Sequence, residues 1–188
     1  EHRDVLVRAG KIGEIAETGS FKGPPGTEVI DGAYATLLPG LVDMHVHSGN
    51  PISVPWEHPL PHPERNARMF LYAGVTTVLD TGSRDDEAIE RRDRIAAGEL
   101  LGPRMFAVGP VVTTKGGHPK AMLATLPWWM RKPASHEVRE VSDAESVRQT
   151  ILEVKGMRAD FVKVVVDSIP DGIPHISDER LDEGGKAA

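Results

Sequence analysis

The sequence predicts an α/β protein in which short parallel strands alternate with helices, preceded by a small β segment. Between residues 41 and 166, four short apolar runs rich in β-branched residues are separated by charged stretches with helical character. Strands separated by helices are typical of parallel βαβ units. Before residue 39 the pattern instead alternates between apolar and polar residues. The 15 prolines and 19 glycines indicate many short connections between elements.

The composition excludes several classes of protein. The 188 residues include 22 basic and 28 acidic side chains, a formal charge of −6, and this argues against a nucleic-acid partner because phosphate contacts need clustered lysine and arginine. No apolar run reaches the roughly 18 residues that span a bilayer, so we expect no membrane partner. The absence of cysteine removes disulfides, thiolate metal sites and cysteine nucleophiles. Residues 1–10 contain no signal-peptide core, and we expect a cytoplasmic protein.

Two domains are predicted, with Pro39-Gly40 as the break between them. Residues 1–38 form the β segment and residues 39–188 form the strand–helix domain. Within the β segment, the alternation predicts a hairpin over 5–12 that turns at Gly10, and two further short strands at 27–31 and 35–38.

In the second domain, strands are assigned to short apolar runs, and helices to charged stretches that end at glycine or begin at a capping residue. The predicted strands are 41–46, 75–79, 104–108 and 161–166. The predicted helices are 64–73, 85–97, 142–158 with a capping box of Ser142 and Glu145, and a last helix that begins at 177. Residues 109–141 are predicted to be a long loop, and 184–188 to be unstructured.

The strongest chemical signal is the His-x-His pair in the first strand of this domain. Side chains alternate faces along a strand, so Asp43, His45 and His47 share one face. The residues between them are apolar and suited to packing under helices: Val42, Met44 and Val46. Two imidazoles near the end of one strand can converge on a metal ion such as zinc, iron or nickel. The alternative is a pair of polar residues at a strand end without metal.

The second signal is Lys163, which interrupts the apolar run Phe161-Val162-Lys163-Val164-Val165-Val166. Burial disfavours the charged form of a lysine and lowers its pKa. A neutral amine can react with carbon dioxide to give a carbamate, an anion whose two oxygens can bridge two metal ions. The alternative is an edge-strand lysine whose ammonium group reaches water.

Together these motifs resemble the amidohydrolase superfamily, most closely its imidazolonepropionase-like and Xaa-Pro dipeptidase-like branch. The resemblance covers nearly the whole chain and corresponds to the N-terminal portion of the family. The segments that carry it are Leu38 to Ser48 with the His-x-His strand, Ala73-Gly74-Val75-Thr76-Thr77-Val78, Gly102-Pro103-Arg104, Gly116-Gly117-His118 and Ala159-Asp160-Phe161-Val162-Lys163.

The resemblance implies a fold and a metal centre. Residues 39–188 would be the first half, strands one to four with their helices, of a TIM-type (β/α)8 barrel, and residues 1–38 part of a composite β-sandwich. His45 and His47 would bind the more buried metal, and carbamylated Lys163 would bridge it to a second divalent ion, expected to be zinc. The family's two further histidines and its aspartate, the general base, come from later strands and have no counterpart in this sequence.

Other candidate residues lie at the ends of the predicted strands. His118, in the Gly116-Gly117-His118 loop after the third strand, is expected to contact substrate, or else to be an ordinary exposed loop histidine. Asp43 could orient a ligand histidine as a hydrogen-bond acceptor. The remaining candidates are weaker: His58 and His62 in the first loop, Asp80 and Arg84 after the second strand, and Trp128 and Trp129 as pocket walls.

The expected function is hydrolysis of a C–N bond in a small amide, cyclic amide or dipeptide, by water activated at a binuclear metal centre. The sequence supplies three of the family's six ligands, so a truncated piece, a partner carrying the complementary C-terminal half, and an inactive half-domain are all open. A homo-oligomer is also open. The competing hypothesis is an open doubly wound α/β domain that acts as a ligand-binding or assembly module. No Gly-rich phosphate loop supports that hypothesis.

Overall fold

A computed structural model gives the fold, and its description covers residues 2–21, 23–32, 34–50, 62–125, 128–169 and 171–187. The chain divides into two compact units, Glu1–Pro39 and Gly40–Ala188. None of the helices in these ranges is both long enough and apolar enough to cross a bilayer.

The first unit is built on one antiparallel hairpin. Strands β1 (Arg3–Arg8) and β2 (Lys11–Glu17) pair with a register shift at Leu6/Val7, as the alternation predicts. The strands predicted at 27–31 and 35–38 do not form, and the described residues there belong to no strand. The physical reason is that these segments find no partner strand for their backbone groups. A sandwich is therefore not confirmed.

The second unit begins with a parallel three-stranded sheet, in the order β3-β4-β5. Its elements are β3 (Leu41–Val46), α1 (Pro63–Tyr72), β4 (Val75–Asp80), α2 (Glu87–Ala96) and β5 (Arg104–Ala107). Val78, Ile89 and Met105 are buried together between the sheet and α2. This is the predicted strand–helix alternation, with element ends that agree to within about two residues.

The segment predicted to be a long loop contains a second parallel pair of strands. Strands β6 (Val111–Thr114) and β7 (Val138–Val141) pair in register, with short helices α3 (Lys120–Leu123) and α4 (Trp128–Ser135) between them. All four residues of β6 are buried, so the loop prediction was wrong. The β-branched run Val-Val-Thr-Thr is a good strand former once a partner is available.

The predicted fourth strand, 161–166, lies beside β5 and β6 but forms only one isolated bridge, between Val112 and Val164. The Asp160 N–H donates to the Ala107 carbonyl at 2.9 Å, and the Val112 N–H donates to the Lys163 carbonyl at 2.8 Å. The segment therefore pairs with β6 at the predicted residues, but it does not form a regular strand. We attribute this to pairing along one side of the segment only.

Helices α5 (Ala144–Gly156) and α6 (Asp178–Ala187) cover the β6–β7 sheet. The capping box on α5 is real but begins at Asp143, whose carboxylate accepts from the Ser146 N–H at 2.8 Å, not at Ser142. Helix α6 includes the residues from 184 to 187 predicted to be unstructured. Gly184 is buried there, and a Cβ at this position would lie 3.0 Å from Ile151 Cδ1.

The described strands thus confirm the α/β class and the parallel arrangement. They form one two-stranded antiparallel hairpin and two separate parallel sheets, and they do not close into a barrel. The parallel order of these strands, with helices between them, is consistent with part of a (β/α) barrel.

Candidate metal centre

The His-x-His pair lies at the carboxyl end of β3. The ring centroids of His45 and His47 are 5.6 Å apart, with the planes inclined at 61°, so the two imidazoles lie next to each other. The pairing of β3 with β4 is irregular between Asp43 and Val46. Both rings are exposed, and a metal ion could reach them from solvent.

The apolar residues of β3 are less buried than the alternation predicts. Val46 is 7% exposed and packs in the core, but Val42 and Met44 are each 59% exposed. The prediction that all three pack under helices was therefore wrong for two of them. The reason is that β3 lies at the edge of its sheet and, among the described strands, pairs with β4 alone.

The hydrogen bond of His47 fixes its tautomer. Its Nδ1 lies 3.1 Å from the Gly82 carbonyl oxygen, and since a carbonyl can only accept, a neutral ring must carry its proton on Nδ1. Nε2 then presents a lone pair, which is the form that binds metal. The site needs glycine at 82, because a Cβ there would lie 2.7 Å from Val111 Cγ2 and 3.2 Å from His47 Cε1.

Asp43 makes a different contact from the one predicted. Its Oδ1 accepts from the backbone N–H of His45 at 3.0 Å, so its described hydrogen bond goes to the main chain and not to an imidazole. Among the described residues, the ring-orienting acceptor is the Gly82 carbonyl. A sequence pattern does not reveal a backbone acceptor of this kind.

Lys163 lies on the segment that pairs with β6, and its residue is half-buried. This intermediate burial lies between the buried lysine and the edge-strand lysine that the sequence leaves open. Its backbone is fixed through the Val112 N–H, and the preceding Asp160 accepts from the Ala107 N–H at 2.9 Å. Its role as a metal ligand stays a prediction.

The loop that carries His118 is anchored on two sides. The His118 Nδ1 lies 2.9 Å from the Ile169 carbonyl oxygen, and by the same reasoning its Nε2 carries the lone pair. The Gly116 N–H donates to the Glu140 carboxylate at 2.8 Å, and Lys120 pairs with the same carboxylate at 3.3 Å. The Nδ1 side of the His118 ring is therefore held by the Ile169 carbonyl, and Nε2 on the other side carries the lone pair.

The remaining sequence candidates take other positions. Asp80 is fully buried and accepts from Ser48. Arg84 pairs with Glu87. His62 precedes α1 as its N-cap without a side-chain capping bond, the two tryptophans are exposed, and His58 lies outside the described residues. Within the described part of the chain, no three His, Cys, Asp or Glu side chains form a metal-holding group.

Glu137, which the sequence does not single out, lies in the turn before β7. Burial raises the pKa of its carboxyl group, and the nearby His47 and Arg84 only partly offset this. Its own carbonyl accepts from the Val111 N–H at 2.8 Å. Glu137 therefore brings a carboxylate into the electrostatic environment of His47. Only the tertiary pairing of β6 with β7 brings it there.

Comparison with known proteins identifies relatives for nearly the whole chain. A family model described as "Amidohydrolase family" matches residues 36–183. A dihydroorotase of Pelobacter propionicus is 27% identical over 168 residues, which are 89% of this chain and 39% of that protein. A crystal structure of an amidohydrolase superposes with a TM-score of 0.74 at 25% identity, covering 98% of this chain and 48% of that one.

A further crystal structure, of a Xaa-Pro dipeptidase with methionine bound in its active site, gives a TM-score of 0.67 at 29% identity. The match covers 94% of this chain and 47% of that one. The chain therefore spans less than half the length of each of these three proteins.

Proposed function

The chain belongs to the amidohydrolase family, as its motifs predict, and we propose that it is the N-terminal part of a metal-dependent hydrolase that cleaves C–N bonds. The proposed substrates are small amides, cyclic amides or dipeptides. Relatives named as a dihydroorotase and a Xaa-Pro dipeptidase support this range.

The observation that carries the proposal is the geometry of the His-x-His pair. The rings of His45 and His47 adjoin at 5.6 Å. The Gly82 carbonyl holds the Nδ1 proton of His47, so Nε2 is free to bind a cation. Neutral imidazoles with an oriented lone pair fit zinc and similar divalent ions. The residues present therefore fit a metal.

We assign His45 and His47 to one metal, and Lys163 to a bridge between two metals after carbamylation. In that modification the neutral amine of Lys163 forms an N–C bond to carbon dioxide and releases one proton. When bound, the metals lower the pKa of water towards neutrality and polarise the scissile carbonyl. Lys163 is half-buried and not fully enclosed, which is compatible with carbamylation by carbon dioxide from solvent.

His118 is the proposed substrate contact on this chain. Its Nδ1 is engaged by the Ile169 carbonyl, so Nε2 can accept a hydrogen bond from a substrate N–H group. The Glu140 contact to the Gly116 N–H keeps the loop in place. This assignment rests on the loop geometry and on the family resemblance.

The remaining ligands and the general base are proposed to come from a complementary C-terminal half of the same barrel, in the same polypeptide or in a second one. The competing proposal is an inactive α/β module that binds a ligand or assembles with a partner. The absence of a group of three His, Cys, Asp or Glu ligands among the described residues is compatible with both proposals, because the first assigns only two histidines and Lys163 to this chain.

Zinc titration of the chelator-treated chain, followed by calorimetry, separates these proposals. We expect binding at one site, weakened by about tenfold or more in His45→Ala and in His47→Ala. The matched control is His175→Ala, because His175 contacts Ser168 and lies away from the pair in the chain. Zinc binding that is absent, or unchanged in both histidine variants, favours the inactive module.

A further inference from the structure

A buried polar cluster lies directly behind the His-x-His pair. It joins β3, β4, α1 and α2, and its four side chains are almost completely enclosed: Ser48 is 3% exposed, Asn66 1%, Asp80 0% and Arg91 7%. Burying a carboxylate and a guanidinium is costly unless each is hydrogen-bonded. A cluster of this kind therefore needs a reason beyond packing.

Asp80 connects the two backbone points that determine where His47 lies. Its Oδ2 accepts from the backbone N–H of Ser48 at 2.8 Å and from the Ser48 hydroxyl at 2.5 Å. Its Oδ1 accepts from the Gly82 N–H at 3.2 Å. Ser48 directly follows His47 in the chain, and the Gly82 carbonyl is the acceptor for His47 Nδ1.

We propose that Asp80 is a positioning residue for the metal-binding His47, because one carboxylate fixes both the chain after the imidazole and the residue whose carbonyl holds its ring. The inference rests on the proposed metal site and extends it from ligands to the group that sets their geometry. Such outer partners orient the ring and fix its tautomer.

Arg91 and Asn66, the other members of the cluster, hold Ser48 in the position from which it donates to Asp80. Arg91 Nη1 donates to the hydroxyl oxygen of Ser48 at 2.8 Å. The single hydroxyl proton of Ser48 is then left for Asp80. Asn66 donates to the carbonyls of Ser48 and Asn50 at 2.9 and 2.8 Å, which holds the turn after the strand. These contacts hold the Ser48 hydroxyl proton on Asp80 and the turn after β3 in place.

The chemistry of Asp80 explains why a carboxylate is required. Its described contacts are all acceptances, shared between its two oxygens. An amide offers one oxygen and one NH2 group, so Asp80→Asn must turn a donor towards either Ser48 or Gly82. Asp80→Asn should therefore displace the Gly82 carbonyl, which is the hydrogen-bond acceptor of His47 Nδ1.

The test compares Asp80→Asn with Asp86→Asn, a matched change at an exposed aspartate that makes no side-chain cap on α2. Imidazole nitrogen chemical shifts from ¹⁵N NMR report the tautomer of His47 without any metal. We expect wild type and Asp86→Asn to hold the Nδ1–H form, and Asp80→Asn to show a mixture of tautomers. Its zinc affinity should fall by about 10- to 100-fold.

A merely structural Asp80 would lower the melting temperature and leave the His47 tautomer and the zinc affinity of the folded variant unchanged. That result would overturn the proposal. If Asp80→Asn does not fold, Ser48→Ala removes the hydroxyl that joins Asp80 to Arg91 and leaves the backbone contacts of Asp80 in place. It should move the same shifts in the same direction by a smaller amount. Failure of wild type to bind zinc would defeat the metal site, while the tautomer comparison would still decide the role of Asp80.

Discussion

The fold shifts the pKa values of individual carboxyl groups in opposite directions, and the pKa of Glu137 is raised. Burial raises the pKa of its carboxyl group, against the lowering effect of His47 and Arg84. The folded protein therefore holds this proton more tightly than the unfolded chain does. As pH rises from the ordinary carboxyl range through the raised pKa, ionising Glu137 costs stability.

We predict that Glu137→Gln stabilises the chain at neutral pH by about 0.5 kcal/mol and has a much smaller effect at pH 4, where the carboxyl group is mostly protonated in both states. Urea unfolding at pH 4 and pH 7.5 measures the difference. Glu145→Gln is the control of opposite sign, because hydrogen bonds from Arg148 and Gln149 lower the pKa of Glu145. A stabilisation that is equal at both pH values would contradict the argument.

Single residues also show what the sequence can predict about the site. The proximity of His45 and His47 follows from their spacing in one strand, and the structure agrees. Glu137 and the Gly82 carbonyl could not be found this way, because both reach His47 only through pairing between distant segments. Asp80 was visible as a strand-end carboxylate, but its burial and its donors depend on Ser48, 32 positions away.

At the scale of elements, side-chain contacts of Asp160 add to the few backbone hydrogen bonds that hold the segment carrying Lys163. The Asp160 carboxylate accepts from the Ala107 N–H at 2.9 Å and from Arg92 at 2.8 Å. Arg92 also donates to the Arg158 carbonyl at 2.9 Å. Because the segment forms a single bridge to β6, these side-chain contacts contribute a large share of its order.

We predict that Asp160→Asn loosens this segment and costs about 1 kcal/mol of stability. Hydrogen exchange should quicken at the Val165 amide, which donates to Val112, and stay unchanged at the Val111 amide, which donates to Glu137 on the other side of β6. Asp93→Asn is the matched control, since Asp93 pairs with the same Arg92 while the bond from Ala107 to Asp160 is left intact. Equal quickening in both variants would show that Asp160 is no special anchor.

The elements that sequence analysis missed share one physical cause. The glycine, proline and tryptophan content of 109–141 favours a loop, and only the parallel pairing of β6 with β7 makes strands of its ends. In α6, low helix propensity at Gly184 and Gly185 is outweighed by packing, because the missing side chain at 184 allows close approach to Ile151. In both β6–β7 and α6, tertiary contacts outweigh the local sequence preference.

At the scale of the whole chain, β3 is the exposed edge of the parallel sheet. It pairs with β4 and with no other described strand. Leu41, Val42 and Met44 are each more than half exposed along it. An apolar edge with unpaired backbone groups is a template for another strand. The proposed complementary half of the barrel would cover this edge, and a second copy of the chain could cover it in its absence.

We therefore predict that the chain alone self-associates in a concentration-dependent way through β3. Val42→Lys should shift sedimentation towards monomer, because a charged edge residue resists strand addition. Val29→Lys is the control, since Val29 is also strongly exposed but belongs to the first unit and not to β3. A chain that is monomeric at every concentration, or equal behaviour of the two variants, would show that the edge is not what drives association. Adding a separately produced C-terminal half should suppress the association of wild type only if that half pairs with β3.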